Sequence, residues 1–116
     1  MSDRHPPRPA NLYVLSAAIP GKPEVPIGVL LEDIWTNSLQ NKLRGDWHAI
    51  APGYEDYLAP LADDLFARAE EMGAKDFLAM LTSQLSNFLR ITDPEPLDVS
   101  DLPAALQDSY TRYIQS

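Results

Sequence analysis

The chain has 116 residues, a formal net charge of -8 and no cysteine. This length fits a single domain with one core, and the absence of thiols excludes disulfides and thiolate metal sites. Its nine Lys and Arg residues are scattered among seventeen acids, so nucleic acid is not an expected partner.

The N-terminal segment predicts a soluble protein. Residues 1–10 combine three prolines with two arginines and a histidine, which predicts a disordered arm. This segment lacks the apolar region of a secretory signal, and no apolar run approaches the roughly 20 residues that cross a bilayer. We therefore expect a cytoplasmic protein that contacts no membrane.

Three strands are predicted after the arm, joined as an antiparallel meander. They cover residues 11–19, 25–32 and 38–47. The first strand is apolar on both faces, so each of its faces needs cover. The third strand is expected to bury only one face, because its apolar and polar residues alternate. Gly28 predicts a bulge or the close approach of a neighbouring group.

Two helices are predicted to follow and to form an αα-hairpin on one face of the sheet. The first covers about residues 57–72 and ends at Gly73. The second covers residues 77–89, which carry no charge. A helix with a water-exposed face usually carries Lys or Glu there, so we expect this one to be covered on more than one side.

The C-terminal quarter predicts a linker and a docking helix. Residues 93–101 are acidic and contain two prolines, whereas Pro103 suits the first turn of a helix over residues 102–116. The predicted fold is therefore α+β. A three-stranded antiparallel β-meander and an αα-hairpin form the core, residues 11–92, and a C-terminal helix docks on it.

The helical hairpin can cover only one face of the sheet. The second apolar face of the first strand and the polar residues of the uncharged helix therefore need further partners. The first strand needs either the C-terminal helix or a second subunit, and a homodimer is one solution. The small polar residues form either an internal seam or an interface. The candidate interface residues are Tyr13, Leu15, Ile19, Ser83, Ser86 and Asn87.

A second candidate site lies at the end of the third strand. Asp46, Trp47 and His48, with Tyr54 nearby, join a carboxylate, an indole and an imidazole in a possible ligand-binding site. The alternative is that Trp47 is a core residue and His48 a surface residue. No catalytic set, metal-binding pattern or cofactor motif is present.

These features favour a non-catalytic protein–protein interaction or accessory subunit, whose partner is another protein or a second copy of the chain. The alternative is a small enzyme or ligand-binding domain that uses the strand-end site.

Overall fold

The computed structural model of the chain describes residues 7–18, 21–50, 52–53, 56, 64, 67–84 and 89–114. In chain order the elements are β1 (Arg8–Ala17), β2 (Val25–Asp33), β3 (Ser38–Leu43), α1 (Trp47–Ile50), α2 (which includes residues 67–72), α3 (Ala74–Gln84), β4 (Leu89–Ile91), β5 (Glu95–Val99) and α4 (Leu102–Tyr113). Helices pack on one antiparallel sheet, so the predicted α+β fold is confirmed.

Strand β1 lies inside the sheet and pairs along its length with β2. Strand β2 pairs in turn with β3, and these three strands form the predicted meander. Two short strands share the other edge of β1: β5 pairs with its first half and β4 with its second half. The strand order is β3-β2-β1-β4, with β5 also paired to β1.

Gly28 lies where β3 crowds β2. A Cβ atom there would come within 2.7 Å of the Lys42 carbonyl oxygen and would overlap the Leu43 side chain. The pairing of β1 with β2 also shifts register here, because Leu15 faces Gly28 whereas the next residue of β1 faces Pro26. Both parts of the prediction for Gly28 are confirmed.

Helices cover both faces of the sheet. On the first face, called the α3 face, the buried core residues are Leu15, Ala17, Ile27, Leu30, Ile50, Ala69, Phe77, Leu78, Leu81 and Leu89. On the opposite face, called the α4 face, they are Ala10, Leu12, Val29, Leu31, Val99 and Tyr110. Both apolar faces of β1 are thus covered within one chain, so a second subunit is not needed for this purpose.

The predicted uncharged helix over residues 77–89 is wrong at its C-terminal end. Helix α3 runs to Gln84, and Leu89 begins β4. Leu89 and Ile91 alternate with exposed Arg90, which is the period of a strand, and they pair with β1. Apolar residues in a short window fit either period, so periodicity alone did not separate the strand from the helix.

The predicted arm and linker also contribute to the sheet. Residues 8–10 of the predicted arm belong to β1, and residues 1–6 of it lie outside the described residues. Within the predicted linker, residues 93–101, Glu95–Val99 forms β5. An edge strand tolerates proline because one side of its backbone has no ladder partner, which reconciles the prolines with strand pairing.

The predicted end of α2 at Gly73 and the predicted start of the last helix at Leu102 are confirmed. Gly73 follows α2 with a φ of 84°, and its amide donates to the Ala69 carbonyl at 3.0 Å. Asp101 caps α4, since its carboxylate accepts a hydrogen bond from the Ala104 amide at 3.1 Å. No helix in the described part of the chain is both long and apolar enough to cross a membrane.

Candidate functional site

The predicted strand-end site does not lie on a strand. Strand β3 ends at Leu43, and Trp47 and His48 belong to α1, a single helical turn. Asp46 and His48 therefore do not share the face of a continuing strand. The Trp47 side chain and all of Tyr54 lie outside the described residues.

The Asp46 carboxylate is bound by a neighbouring arginine. Arg44 donates from Nε to Oδ1 at 2.9 Å and from Nη2 to Oδ2 at 2.6 Å. This two-pronged hydrogen bond lowers the pKa of Asp46 below its ordinary value. Since Asp46 is exposed, the pair fixes the local chain conformation after β3 and adds little to the overall stability.

Only some of the predicted interface residues are described. Leu15 is 1% exposed inside the α3-face core, so it offers no surface to a partner. Tyr13 is half-buried on the same face. The parts that lie outside the described residues are Ile19, Ser86, Asn87 and the Ser83 side chain.

The turn between β2 and β3 exposes large apolar side chains. Ile34 is 47% exposed and Trp35 is 60% exposed. At the end of α2, Met72 is 37% exposed, and these three are the exposed large apolar residues among those described. We call Ile34, Trp35 and Met72 the tip surface.

Asn37 joins the two segments that carry the tip surface. It adopts a left-handed φ of 54°, which suits asparagine in a turn. Its main-chain oxygen accepts from the Ala74 amide at 2.9 Å, and its Oδ1 accepts from the Lys75 amide at 2.8 Å. The β2–β3 turn thereby caps the N-terminus of α3, and the Asn37 side chain lies beside Gly73, the residue that follows Met72.

Asp33 fixes the start of the same turn. Its buried carboxylate accepts from Arg8 Nη1 at 2.7 Å and from the Trp35 amide at 3.0 Å. Burial raises the pKa of Asp33, but hydrogen bonds from Thr36, Arg8 and the Trp35 amide outweigh it, and the pKa is lowered. The Arg8 guanidinium also lies 5.8 Å from the centroid of the Trp35 ring. Trp35 is thus exposed, with its main-chain amide bound by Asp33 and its ring beside Arg8.

A cleft of about 600 Å³ lies on the α3 face, beside the start of α3. Glu32 lines it and is 8% exposed, so we call it the Glu32 cleft. Its Oε1 accepts from Asn11 Nδ2 at 3.1 Å and from the Tyr13 hydroxyl at 3.3 Å. Burial, and then the charge and hydrogen bond of Glu32, raise the pKa of Tyr13 to about 12. The hydroxyl therefore stays a donor at neutral pH.

No group of three or more His, Asp or Glu residues in the described ranges is arranged to hold a metal ion. Comparison with protein-family models, with curated proteins and with solved structures finds no match to this chain. Function is therefore inferred from the chain's own geometry.

Both the tip surface and the Glu32 cleft were missed by the sequence analysis. The signal for the tip was present, because the apolar pair Ile34 and Trp35 stands next to Thr36, Asn37 and Ser38, which are residue types typical of a turn. The cleft had no comparable signal. It depends on the register that places Asn11 opposite Glu32 across two strands, which the sequence does not specify.

Proposed function

We propose that the protein is a non-catalytic interaction protein or accessory subunit that binds a protein partner through the tip surface. The proposed compartment is the cytoplasm. The observation that carries the proposal is Trp35, which is the most exposed large apolar residue described, with its main-chain amide bound by Asp33 and its ring beside Arg8. Tryptophan is enriched among the residues that dominate binding energy, and its two side-chain torsions give a large contact area at a low entropy cost.

In the isolated protein, the proposed partner is a second copy of the chain. An apolar patch matches itself across a two-fold axis, which is the commonest symmetry of soluble oligomers. Charges of both signs stand next to the tip surface in the chain, with Glu70 and Glu71 on α2 and Lys75 on α3. A two-fold contact can therefore place the lysine of one copy against the acids of the other.

The tip surface is the centre of this contact rather than all of it. A stable interface buries roughly 800 Å² on each partner, more than three partly exposed side chains supply. The net charge of -8 also repels a second copy. We therefore expect a reversible dimer whose association strengthens as salt screens this repulsion.

Sedimentation equilibrium over a series of concentrations tests the dimer. We expect reversible self-association of the natural chain, weakened about tenfold or more by Trp35→Ala. The control is Thr111→Ala, at an exposed position on α4, which should associate like the natural chain. A natural chain that stays monomeric throughout, or a Trp35→Ala variant that associates equally well, contradicts the dimer.

The alternative function remains a small enzyme or ligand-binding domain with a site near Asp46, Trp47, His48 and Tyr54. The Arg44 bond to Asp46 disfavours a role for this carboxylate in orienting a base. The observation that favours a ligand site is instead the Glu32 cleft.

A further inference from the structure

The Glu32 cleft has the size and position of a small-molecule site. Its volume of about 600 Å³ falls within the range of roughly 300–1,000 Å³ that ligand pockets occupy. Three parts of the fold surround it: the strands β1 and β2, the first turns of α3, and the segment that joins β4 to β5. Its lining includes none of the three residues of the tip surface, although Lys75 lines the cleft and also stands next to that surface in the chain.

Glu32 keeps unused acceptor capacity in this cleft. The donors from Asn11 and Tyr13 both go to Oε1, because these two residues lie on the same face of β1 beside Glu32. An ionised carboxylate has about four acceptor positions on its two oxygens. Among the described residues no hydrogen bond reaches Oε2.

The charges around the cleft favour a positively charged ligand. Asn11 and Tyr13 are neutral donors, so they solvate the Glu32 carboxylate without balancing its charge. Asp93 lines the cleft and adds a second acid. Lys75 also lines it but is exposed, and the described residues include no ion pair between Lys75 and Glu32. The lining therefore holds two acids and one base.

The remaining lining defines the rest of the ligand. Apolar side chains stand beside the acids, namely Leu78, Ala79, Ile91 and Pro94. They suit an aliphatic stem, whereas Glu32 suits the charged group at its end. We propose that the Glu32 cleft binds a protonated alkylamine or alkylguanidinium, with Glu32 as the residue that pairs with its charge. This group belongs either to a free small molecule or to a Lys or Arg side chain of a polypeptide.

Titrations followed by amide chemical shifts in NMR test the proposal. The probes are n-butylammonium and n-butylguanidinium, and n-butanol is the neutral control of similar shape. We expect saturable shifts at the amides of Asn11, Tyr13, Glu32 and Thr92 with at least one cation and not with the alcohol. If n-butanol binds as tightly as the cations do, the proposal is overturned.

Two variants assign the binding to Glu32. Glu32→Gln keeps an oxygen that accepts from Asn11 and Tyr13 but removes the charge, so affinity for the cation should fall about tenfold or more. Asp108→Asn removes the same charge from an exposed position on α4 and should leave affinity unchanged. Equal binding by Glu32→Gln and the natural chain would refute the role of Glu32.

A third variant covers the case in which Glu32→Gln does not fold. Lys75→Ala removes the base that lines the cleft, at an exposed position, so it should tighten binding by about threefold or more because repulsion of the cation is lost. Unchanged or weaker binding by this variant counts against the charge-pairing proposal.

The source of the charged group is distinguished by a further pair of probes, Nα-acetyl-lysine amide and Nα-acetyl-arginine amide. If these bind and the free alkyl cations do not, the group belongs to a polypeptide side chain. If the free cations bind more tightly, it belongs to a small molecule. Absence of binding by all four cations overturns the proposal whatever the outcome of the sedimentation test.

Discussion

At the scale of single residues, polar side chains near the sites bind specific backbone amides and side chains. Asn37 supplies two acceptors to the start of α3, and Asp33 binds both Arg8 and the amide of Trp35. Tyr13 and Glu32 form a comparable pair inside a cleft. Each has a measurable consequence, because a buried or strained polar group depends on its partner.

Tyr13 should ionise at a higher pH than an ordinary tyrosine. Its pKa is raised from 10.0 to about 12, so the folded chain keeps the phenol protonated where the unfolded chain releases the proton. This contribution to stability is complete below pH 10 and is lost as the pH rises towards 12. Tyrosinate absorbance of the natural chain should show a late step that is absent in Tyr13→Phe.

The same titration also tests the cause of the shift. Glu32→Gln should move the late step to lower pH, because the negative charge that opposes ionisation is removed. If all five tyrosines of the natural chain ionise together near the ordinary pKa, the burial of this pair is contradicted.

Substitutions of Asn37 should lower the free energy of unfolding by amounts that depend on the new residue. Asn37→Ala removes the oxygen that accepts from the Lys75 amide. Alanine also has no side-chain hydrogen bond to offset the strain of a positive φ. We therefore expect the free energy of unfolding to fall by about 2 kcal/mol. Asn37→Gly relieves the strain and should lose only about 1 kcal/mol. Asn37→Asp keeps the acceptor and should stay within about 0.5 kcal/mol. Denaturant unfolding gives the order, and a reversed order would contradict the cap.

At the scale of elements, β1 organises the fold by pairing with β4 and β5 on one edge. Leu15 pairs with Ile91, and Leu12 pairs with Glu95. The three residues between Ile91 and Glu95 therefore lie opposite only two residues of β1, those between Leu12 and Leu15. This extra residue forms a bulge. Thr92 closes it, since its Oγ1 accepts from the Val14 amide at 2.9 Å.

Thr92 should therefore behave as a structural hydroxyl. Thr92→Val keeps the shape but leaves the Val14 amide without this acceptor, and we expect a loss of about 1 kcal/mol in the free energy of unfolding. Thr92→Ser keeps the hydroxyl and serves as the control. Faster hydrogen exchange of the Val14 amide in Thr92→Val alone would locate the effect, whereas equal exchange in both variants would contradict it.

Some elements of the fold are predictable from local sequence, and others depend on pairing between distant segments. The meander, the close approach at Gly28, the helix end at Gly73 and the last helix with Pro103 in its first turn follow from local residue types, and the structure has all four. Strand β5 was not predicted because its pairing joins segments more than 80 residues apart, and proline-rich acidic segments usually form loops. The Glu32 cleft depends on the same distant pairing.

At the scale of the whole molecule, one sheet separates two cores. Residues 27–33 of β2 are all buried, because α3 covers one face and α4 the other. Leu30 belongs to the α3-face core and the adjacent Leu31 to the α4-face core. The cores share strands but have no buried residue in common, so each should respond to its own substitutions while the chain unfolds as one unit.

Paired substitutions test this arrangement. Leu81→Ala opens the α3-face core and should lower the free energy of unfolding by about 2–4 kcal/mol, whereas Leu106→Ala, partly buried on α4, should lower it by about 1–2 kcal/mol. Because the sheet lies between the two cores, the double variant should lose the sum to within about 0.5 kcal/mol. All variants should unfold in one denaturant transition. A coupling above about 1 kcal/mol would mean that the cores are in contact, and a second transition would mean that α4 unfolds by itself.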